Sequence, residues 1–250
     1  MKLIRFEYRG RIFQGEVDGE EVITQEYNLP LNQVKILTPS QPSKIVCVGL
    51  NYMSHAEELN MEIPDKPVIF LKPPSAALEH LGSIVYPYMS RRVDYEAEIC
   101  AVIAKKAKNV SRAEAMEFIQ GYTCFNDITA RDLQQQDKQW TRAKSFDTFA
   151  PFGPFIETDV DVDNLKVELY LNGKLRQRGP TSDMIFSIPE IVSFISEVMT
   201  LLPGDIIATG TPPGIGELKV GDEVEVVVSD VGRLVNYVIG EGDNSRRVSI

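Results

Sequence analysis

Three acidic residues alternate in one short stretch of the chain, Asp94, Glu96 and Glu98, and an apolar run, Ile99–Ala104, follows them. Alternate side chains of an extended strand point to one face, so the three carboxylates should lie side by side. Neighbours on that face are about 6.6 Å apart and repel by about 2.5 kcal/mol at an effective dielectric constant of about 20. Strand propensity spans only about 1 kcal/mol and does not outweigh this repulsion. The stretch contains no Lys or Arg. We therefore expect a counter-charge, and a divalent cation is a simpler one than the arginines just before the stretch.

A further acidic side chain that could join this group is Asp127, near the end of a predicted strand, Tyr122–Ile128. Glu96, Glu98 and Asp127 would form a ligand set made only of oxygen atoms, which suits Mg²⁺, Mn²⁺ or Ca²⁺. Zinc is not expected, because the chain has 2 histidines and no closely spaced cysteines. The alternative interpretation of the acidic strand is a solvated sheet edge.

His55 and Glu58 are three residues apart in a segment, Asn51 to about Leu59, that has the pattern of a helix. Residues at this spacing are neighbours on a helix face. Such a pair could orient and deprotonate a water molecule. The alternative is a surface helix with an incidental charge pair.

Four more polar residues are candidates for contact with a substrate. Arg131 and Gln134 would share one helix face and could bind a carboxylate, unless the segment is only a polar loop. Lys144 precedes an aromatic segment rich in Pro and Gly. If this lysine is buried, it needs a carboxylate or a ligand as a partner. The alternative is that Lys144 is exposed. Thr211 lies in the loop 209–216, whose glycines permit close backbone approach to a ligand or simply turn the chain.

The elements that must position these residues are mostly strands. Residues 1–43 are predicted to form a small N-terminal β meander, with turns at Arg9-Gly10 and Asp18-Gly19 and a proline-containing linker at 37–43. Residues 44–250 are predicted to form one larger domain. Its strand pattern includes a hairpin at Asn172-Gly173, and the whole predicts a β-rich α+β fold.

Two capping-box patterns predict the helices of this larger domain. The first begins at Ser111 and is expected to run to Gly121, and the second begins at Ser187. The buried face of the second helix is predicted from its apolar residues Ile191, Phe194, Ile195 and Val198.

The overall composition narrows the class of protein. The net charge of −10 over 250 residues argues against sequence-independent nucleic-acid binding, which needs a basic face. No apolar run approaches the length of a membrane span, and the N-terminus lacks a signal-peptide pattern. Three cysteines in apolar surroundings indicate buried free thiols and a reducing compartment, so a cytoplasmic location is expected.

The order of these motifs resembles that of the fumarylacetoacetate hydrolase family over roughly residues 44–240. No single motif decides this, but their joint occurrence in this order is specific. The matching pieces are Gly49-Leu50-Asn51-Tyr52 with His55, Asp94-Tyr95-Glu96-Ala97-Glu98, Asn126-Asp127-Ile128-Thr129-Ala130-Arg131-Asp132 with Gln134, Lys144-Ser145-Phe146-Asp147, Gly153-Pro154, and Thr209-Gly210-Thr211-Pro212.

The resemblance implies a mixed β-sandwich or roll that works as a homodimer. It assigns Glu96, Glu98 and Asp127 to a Mg²⁺ or Mn²⁺ ion. The remaining residues it assigns are Arg131, Gln134 and Thr211 around the substrate, Lys144 as the stabiliser of developing negative charge, and His55 and Glu58 as the water-activating pair on a lid segment.

The activity that the resemblance implies is metal-dependent cleavage of a C–C bond in a small 2-oxo or 1,3-dicarbonyl acid. An acylpyruvate would be hydrolysed, and oxaloacetate would be decarboxylated. The alternatives are an isomerase and decarboxylase of 2-hydroxyhepta-2,4-diene-1,7-dioate, a sugar-acid dehydratase, and a structural protein that binds calcium or carboxylates. The pair His55 and Glu58 favours the hydrolase or decarboxylase over the dehydratase.

Overall fold

The structure, a computed structural model, describes residues 1–243, in which β-strands are the commonest secondary structure. The expected β-rich α+β fold with an N-terminal meander is confirmed. Within the described residues the strands form sheets of 12, 3 and 5 members. In chain order they are β1 (Lys2–Tyr8), β2 (Arg11–Asp18), β3 (Glu21–Ile23), β4 (Asn28–Pro30), β5 (Lys35–Ile36), β6 (Ile45–Gly49), β7 (Val68–Lys72), β8 (Ala77–Leu78), β9 (Ser83–Tyr86), β10 (Val93–Tyr95), β11 (Ala97–Ile103), β12 (Ile119–Asn126), β13 (Thr129–Ala130), β14 (Ala150–Glu157), β15 (Lys166–Leu171), β16 (Lys174–Pro180), β17 (Ile206–Ala208), β18 (Gly216–Glu217), β19 (Glu223–Val228) and β20 (Gly232–Gly240).

Four α-helices and several short 3₁₀ helices connect these strands within residues 1–243. The α-helices are α1 (Met53–Leu59), α2 (Arg131–Asp137), α3 (Thr141–Lys144) and α4 (Ile188–Val198). The 3₁₀ helices are Leu31–Gln33, Pro74–Ala76, Ala115–Phe118, Val162–Asn164 and Thr181–Asp183.

Helix α4 begins at the capping box predicted from the sequence, with Ser187 and Glu190 bonded to each other and to the first turn. Its buried face was predicted only in part. Val192 lies on that face, whereas Val198, at the end of the helix, is 54% exposed. The prediction for Val198 is wrong: Ile195 and Ser196 in the same last turn are fully buried, and Val198 lies outside the face that they define.

The helix predicted from Ser111 to Gly121 is also wrong. Residues Ala115–Phe118 form a 3₁₀ turn, and β12 begins at Ile119. Phe118 accepts a backbone hydrogen bond from Ala104, and Ile119 pairs with the end of β11. Pairing with a central strand therefore overrides the local capping signal, which folds only one turn.

The N-terminal strands continue the large sheet. Its order is β4-β3-β2-β1-β14-β12-β11-β17-β6-β7, and β1 pairs antiparallel with β14. The meander thus shares backbone hydrogen bonds with strands of the larger predicted domain. A division into domains at residues 43 and 44 stays a prediction.

Two predicted hairpin turns have the backbone that their residues favour. Arg9 and Gly10 have φ values of 51° and 75°, and Asn172 and Gly173 have values of 51° and 72°. Positive φ at both central positions defines the turn that matches the twist of paired strands, and Asn-Gly is the strongest sequence signal for it.

Strand β11 lies at the centre of the core and is buried along its whole length. It pairs with β12 along one edge and with β17 along the other, so both of its edges have hydrogen-bonded neighbours. Cys47, Cys100 and Cys124 are buried free thiols, as expected. A rigid central strand is a precise support for side chains at its end.

In residues 1–243, no helix has both the length and the apolar character needed to cross a membrane.

Candidate active site

Glu96, Glu98 and Asp127 meet at one buried point at the end of β11. Glu96 lies at the break between β10 and β11, Glu98 lies in β11, and Asp127 directly follows β12. One carboxylate oxygen of each residue lies within 4.8 Å of the others. The three residues predicted as metal ligands therefore form one group, which we call the carboxylate cluster.

Backbone pairing explains why two separate segments converge here. The register of β11 and β12 places Ala97 opposite Asn126. Beyond this pair, the Asp127 N–H donates to the Glu96 carbonyl at 2.8 Å, and the Glu96 N–H donates to the Asn126 side chain at 3.0 Å. The fold thus fixes the backbone of two cluster members before any ligand binds.

Lys144, the last residue of α3, reaches into the carboxylate cluster. Its Nζ donates to Glu96 Oε2 at 3.0 Å and to Asp127 Oδ2 at 2.5 Å, and its side chain is 2% exposed. Burial alone would lower the pKa of Lys144, but the charges of Asp127 and Glu96 outweigh burial and raise it. Lys144 is therefore a protonated, buried lysine with carboxylate partners and not an exposed one.

A second buried lysine, Lys72, was not identified from the sequence. It ends β7 and is 0% exposed. Its Nζ donates to the carbonyls of Ile128 and Phe149, and it lies 2.6 Å from Asp127 Oδ1. Burial lowers the pKa of Lys72, and the charge of Asp127 opposes that effect. Two lysines therefore hold opposite oxygens of Asp127. A charged residue at the end of an apolar strand is the one sequence signal that could have revealed Lys72.

Asp94 lies outside the carboxylate cluster and has arginine partners. Arg92 Nε is 2.9 Å from one of its oxygens, and Arg131 Nε is 2.9 Å from the other. Arg131 also binds Glu96 and, at 2.6 Å, the Gln134 side-chain oxygen. The inference that a divalent cation is the simpler counter-charge is wrong for Asp94, because two guanidinium groups neutralise it. Arg131 and Gln134 are thereby brought to the edge of the cluster.

The members of the cluster differ in their counter-charges. Burial would raise the pKa of Glu96, but Lys144 and Arg131 outweigh burial and hold that pKa well below its usual range. Burial raises the pKa of Glu98 well above its usual range, and the charges of Asp127 and Glu96 add to this. Glu98 accepts a hydrogen bond from the Gly210 N–H at 2.8 Å, and no salt bridge to it forms within residues 1–243. The Glu98 carboxylate is the one that still needs a positive charge.

A divalent cation fits this donor set. The ligand atoms are carboxylate oxygens, which Mg²⁺, Mn²⁺ and Ca²⁺ prefer. Asp127 Oδ1 already contacts the Lys72 ammonium group at 2.6 Å, whereas the buried Glu98 carboxylate has no salt bridge within residues 1–243. A cation bound here would balance the charge of the Glu98 carboxylate. Glu96, Glu98 and Asp127 could therefore hold the ion.

The loop 209–216 covers one side of the cluster and does more than turn the chain. Gly210 has a φ of 99°, and a Cβ atom there would lie 2.7 Å from Asn51 Cβ, so only glycine fits. This close approach brings the Gly210 N–H to Glu98. The neighbouring Thr211 hydroxyl donates to the Ala97 carbonyl at 2.8 Å. Thr211 is thus placed beside the backbone that joins two cluster members.

His55 and Glu58 form the predicted pair on α1. His55 Nδ1 is 2.9 Å from Glu58 Oε2; the His55 side chain is 7% exposed and that of Glu58 is 40% exposed. An ionised carboxylate only accepts, so Nδ1 carries the proton and Nε2 is left as an acceptor. Glu58 also accepts from the Gly214 N–H at 3.1 Å. This contact joins the pair to the loop that covers the cluster. Within residues 1–243, His55 makes no direct hydrogen bond to the cluster itself.

Comparisons with known proteins identify the family to which the chain belongs. Residues 44–239 match the fumarylacetoacetate (FAA) hydrolase C-terminal family. The mitochondrial oxaloacetate tautomerase Fahd2a of Rattus norvegicus is 40% identical over 223 residues, which cover 84% of this chain and 71% of that protein. The crystal structure of 5-carboxymethyl-2-hydroxymuconate delta-isomerase from Mycobacterium smegmatis is 40% identical with a TM-score of 0.91, covering 97% of this chain and 100% of that one.

A third similar protein has a metal in its structure. Fumarylpyruvate hydrolase from Pseudomonas aeruginosa, in complex with Mn²⁺ and pyruvate, is 31% identical with a TM-score of 0.77, covering 82% of this chain and 91% of that one. These relatives are named as a tautomerase, an isomerase and a hydrolase, so one fold serves several reactions. The family match over most of the chain and the carboxylate cluster at its centre lead to one conclusion: this chain belongs to the fumarylacetoacetate hydrolase family of enzymes.

Proposed function

We propose that this protein cleaves a C–C bond in a small 2-oxo or 1,3-dicarbonyl acid with the help of a divalent metal ion. The reaction is hydrolysis of an acylpyruvate or decarboxylation of oxaloacetate. The observation that carries the proposal is the buried cluster of Glu96, Glu98 and Asp127 with the Lys144 ammonium group bonded to two of its members. Mg²⁺ or Mn²⁺ is the proposed ion, with Ca²⁺ as the alternative.

The formal charges of the region support an anionic substrate. Four carboxylates are matched there by four basic side chains. They are Asp94, Glu96, Glu98 and Asp127, and Lys72, Arg92, Arg131 and Lys144. A divalent cation added to this balanced set leaves an excess of positive charge. A substrate with two carboxylates, such as oxaloacetate or an acylpyruvate with an acidic acyl chain, would offset that excess.

Each proposed residue has a role that its contacts allow. A divalent ion at Glu96, Glu98 and Asp127 would supply Lewis-acid polarisation of the substrate's 2-oxo group. Lys144 stays protonated and stabilises negative charge that develops on the reacting oxygen. Arg131 keeps N–H donors that are not used by its protein partners, and these can bind a substrate carboxylate beside Gln134.

Hydrolysis needs a base, and His55 can act as one. Its Nε2 takes a proton from water, while Glu58 accepts from Nδ1–H and stabilises the imidazolium. The hydroxide adds to the distal carbonyl, the C–C bond breaks, and the electron pair of that bond passes to the pyruvate fragment as an enolate. His55 then returns its proton to the enolate carbon. Oxaloacetate forms the same enolate by losing CO₂, so its decarboxylation does not require His55 as a base.

A second candidate function is isomerisation by proton transfer. It is favoured by relatives named oxaloacetate tautomerase and 5-carboxymethyl-2-hydroxymuconate delta-isomerase at 40% identity. Such a reaction would use the same cluster and Lys144, with His55 moving a proton between carbons or between carbon and oxygen. For this candidate the substrates to test are the oxaloacetate enol and 2-hydroxyhepta-2,4-diene-1,7-dioate.

A substrate panel separates these functions. The protein is stripped with EDTA, reloaded with Mg²⁺ or Mn²⁺, and given acylpyruvates, oxaloacetate, the diene dioate and a sugar acid in parallel. We expect turnover of an acylpyruvate or of oxaloacetate, with pyruvate as a product, and no turnover by Glu98→Gln. The Glu98→Gln protein also corrects for the reaction that free metal ions catalyse. Turnover of the diene dioate alone would favour the isomerase, and no turnover of any acid would contradict an enzymatic role.

Two further properties belong to the same proposal. We propose that the protein acts as a homodimer and in the cytoplasm. Size-exclusion chromatography with light scattering checks the first, and a single-chain mass would contradict it.

A further inference from the structure

Gln177 connects two sheets at the carboxylate cluster. It lies in β16, within the five-stranded sheet, and is 1% exposed. Its Oε1 accepts from the Ala97 N–H at 2.9 Å, and Ala97 belongs to β11 of the large sheet. Its Nε2 donates to Thr211 Oγ1 at 2.9 Å and to the Pro212 carbonyl at 2.8 Å. The whole amide group is therefore used in contacts with the backbone and loop of the candidate site.

These contacts close a ring around Ala97. Gln177 accepts from the Ala97 N–H, Gln177 donates to the Thr211 hydroxyl, and that hydroxyl donates to the Ala97 carbonyl at 2.8 Å. The N–H and the carbonyl of Ala97 are thus bonded to the side chains of Gln177 and Thr211, and these two side chains are bonded to each other. Ala97 is the residue between Glu96 and Glu98.

The position of this ring matters because the strand is interrupted there. Glu96 belongs to neither β10 nor β11, and Ala97 is the first residue of β11. Buried backbone groups at such a break need partners outside a regular ladder. The peptide planes on the two sides of Ala97 also set where the side chains of Glu96 and Glu98 point. A side chain that fixes both of these peptide planes therefore also fixes the distance between the Glu96 and Glu98 carboxylates.

We propose that Gln177 is a positioning residue for the metal site: through Ala97 and Thr211 it fixes the relative placement of Glu96 and Glu98 and so sets the affinity for the ion. This inference rests on the proposed function, because it takes the carboxylate cluster as the place where the ion binds.

The ring also decides what Thr211 offers to a ligand. The single proton of its hydroxyl is directed to the Ala97 carbonyl, and one lone pair accepts from Gln177. The hydroxyl therefore presents an acceptor, not a donor, to anything bound in the site. Without Gln177 the hydroxyl keeps only the Ala97 carbonyl as a partner, so its proton can turn to a ligand and this acceptor is no longer fixed.

The test is Mn²⁺ binding by the EDTA-stripped full-length protein, measured by calorimetry and by the electron paramagnetic resonance spectrum of the bound ion. Gln177→Met keeps the size of the side chain and removes its amide. The matched control is Gln120→Met, the same change at an exposed position in β12. Partners that orient metal ligands typically contribute about 10–100-fold to affinity. We expect the Mn²⁺ dissociation constant of Gln177→Met to rise about tenfold, with an altered resonance spectrum, while Gln120→Met matches wild type.

A second pair of variants separates positioning from general stability. Thr211→Val breaks the same ring at another point, so the affinity losses of Gln177→Met and Thr211→Val should be less than multiplicative in the double variant. If Gln177→Met does not fold, Gln177→Asn, which keeps the amide but is one methylene shorter, takes its place. Wild-type affinity and spectrum in a folded Gln177 variant would overturn the inference. Failure of the wild-type protein to bind Mn²⁺ would instead overturn the proposed function on which it rests.

Discussion

Replacing Lys72 with methionine should strongly destabilise the protein even without metal. Lys72 and Asp127 are both almost fully buried, and their charged atoms are 2.6 Å apart. Methionine has a similar length but leaves one oxygen of Asp127 without its cation, and it leaves the carbonyls of Ile128 and Phe149 without this donor. Removing one partner of a buried ion pair costs about 3–5 kcal/mol, a large share of a typical stability of about 5–15 kcal/mol.

The assay is urea unfolding in EDTA, followed by circular dichroism and intrinsic fluorescence. In a thermal melt, each kcal/mol of lost unfolding free energy lowers Tm by about 2–4 °C for a chain of this size. A loss of about 3–5 kcal/mol should therefore lower Tm by roughly 6–20 °C. The control is Lys105→Met, because Lys105 and its partner Glu117 are exposed and 3.6 Å apart. An exposed pair of this kind contributes less than about 1 kcal/mol.

A double variant tests the reason for the loss. Adding Asp127→Asn to Lys72→Met removes the buried carboxylate charge that Lys72 had balanced, so the double variant should be more stable than the sum of the two single losses predicts. If Lys72→Met lost less than about 1 kcal/mol, or if the two losses were additive, the ion pair would not have the importance that its burial indicates.

Three other predictions follow from the site and its surroundings. Chelation with EDTA should lower Tm and Mg²⁺ should restore it, since an ion at 100 times its dissociation constant stabilises by about 2.7 kcal/mol; an unchanged Tm in calorimetry would count against an ion in the cluster. His55→Ala should abolish acylpyruvate hydrolysis but leave Mn²⁺ affinity unchanged, and equal loss of both would mean that His55 is not the base. Burial lowers the pKa of His80 to about 4, and its neutral Nδ1 accepts from the Val235 N–H at 3.0 Å. Between its ordinary pKa of about 6.5 and the folded value, the unfolded chain binds more protons, so stability should fall by about 3 kcal/mol as the pH drops through this window. The fall should be smaller in His80→Gln, and equal pH profiles of the two proteins would refute this assignment.

Local patterns in the sequence were enough to predict the parts of the site that lie on single elements. The alternation of Glu96 with Glu98 predicted that their carboxylates lie on one side of the chain, and both do join the cluster. The spacing of His55 and Glu58 likewise produced a contact within one helix. The hairpin at Asn172-Gly173 followed from backbone preferences alone.

What could not be predicted depends on contacts between distant segments. Lys72 follows the apolar run Val68–Leu71 in the sequence, and only the packing of β7 against the core buries its charge. Gln177 lies among Lys174, Arg176 and Arg178, a composition typical of a solvated strand. Its partners Ala97 and Thr211 are 80 and 34 residues away. The sequence predicted that Arg131 lies near a carboxylate, but it did not reveal that this carboxylate includes Asp94.

The central claim is that the carboxylate cluster binds a divalent ion although Lys144 lies against two of its members. Anomalous diffraction from crystals soaked in Mn²⁺ tests it most directly. The prediction is one strong peak in contact with carboxylate oxygens of Glu96, Glu98 and Asp127, which is lost in Glu98→Gln crystals soaked in the same way. A cluster that remains closed around the Lys144 ammonium group, with no peak among the three carboxylates, would contradict the claim.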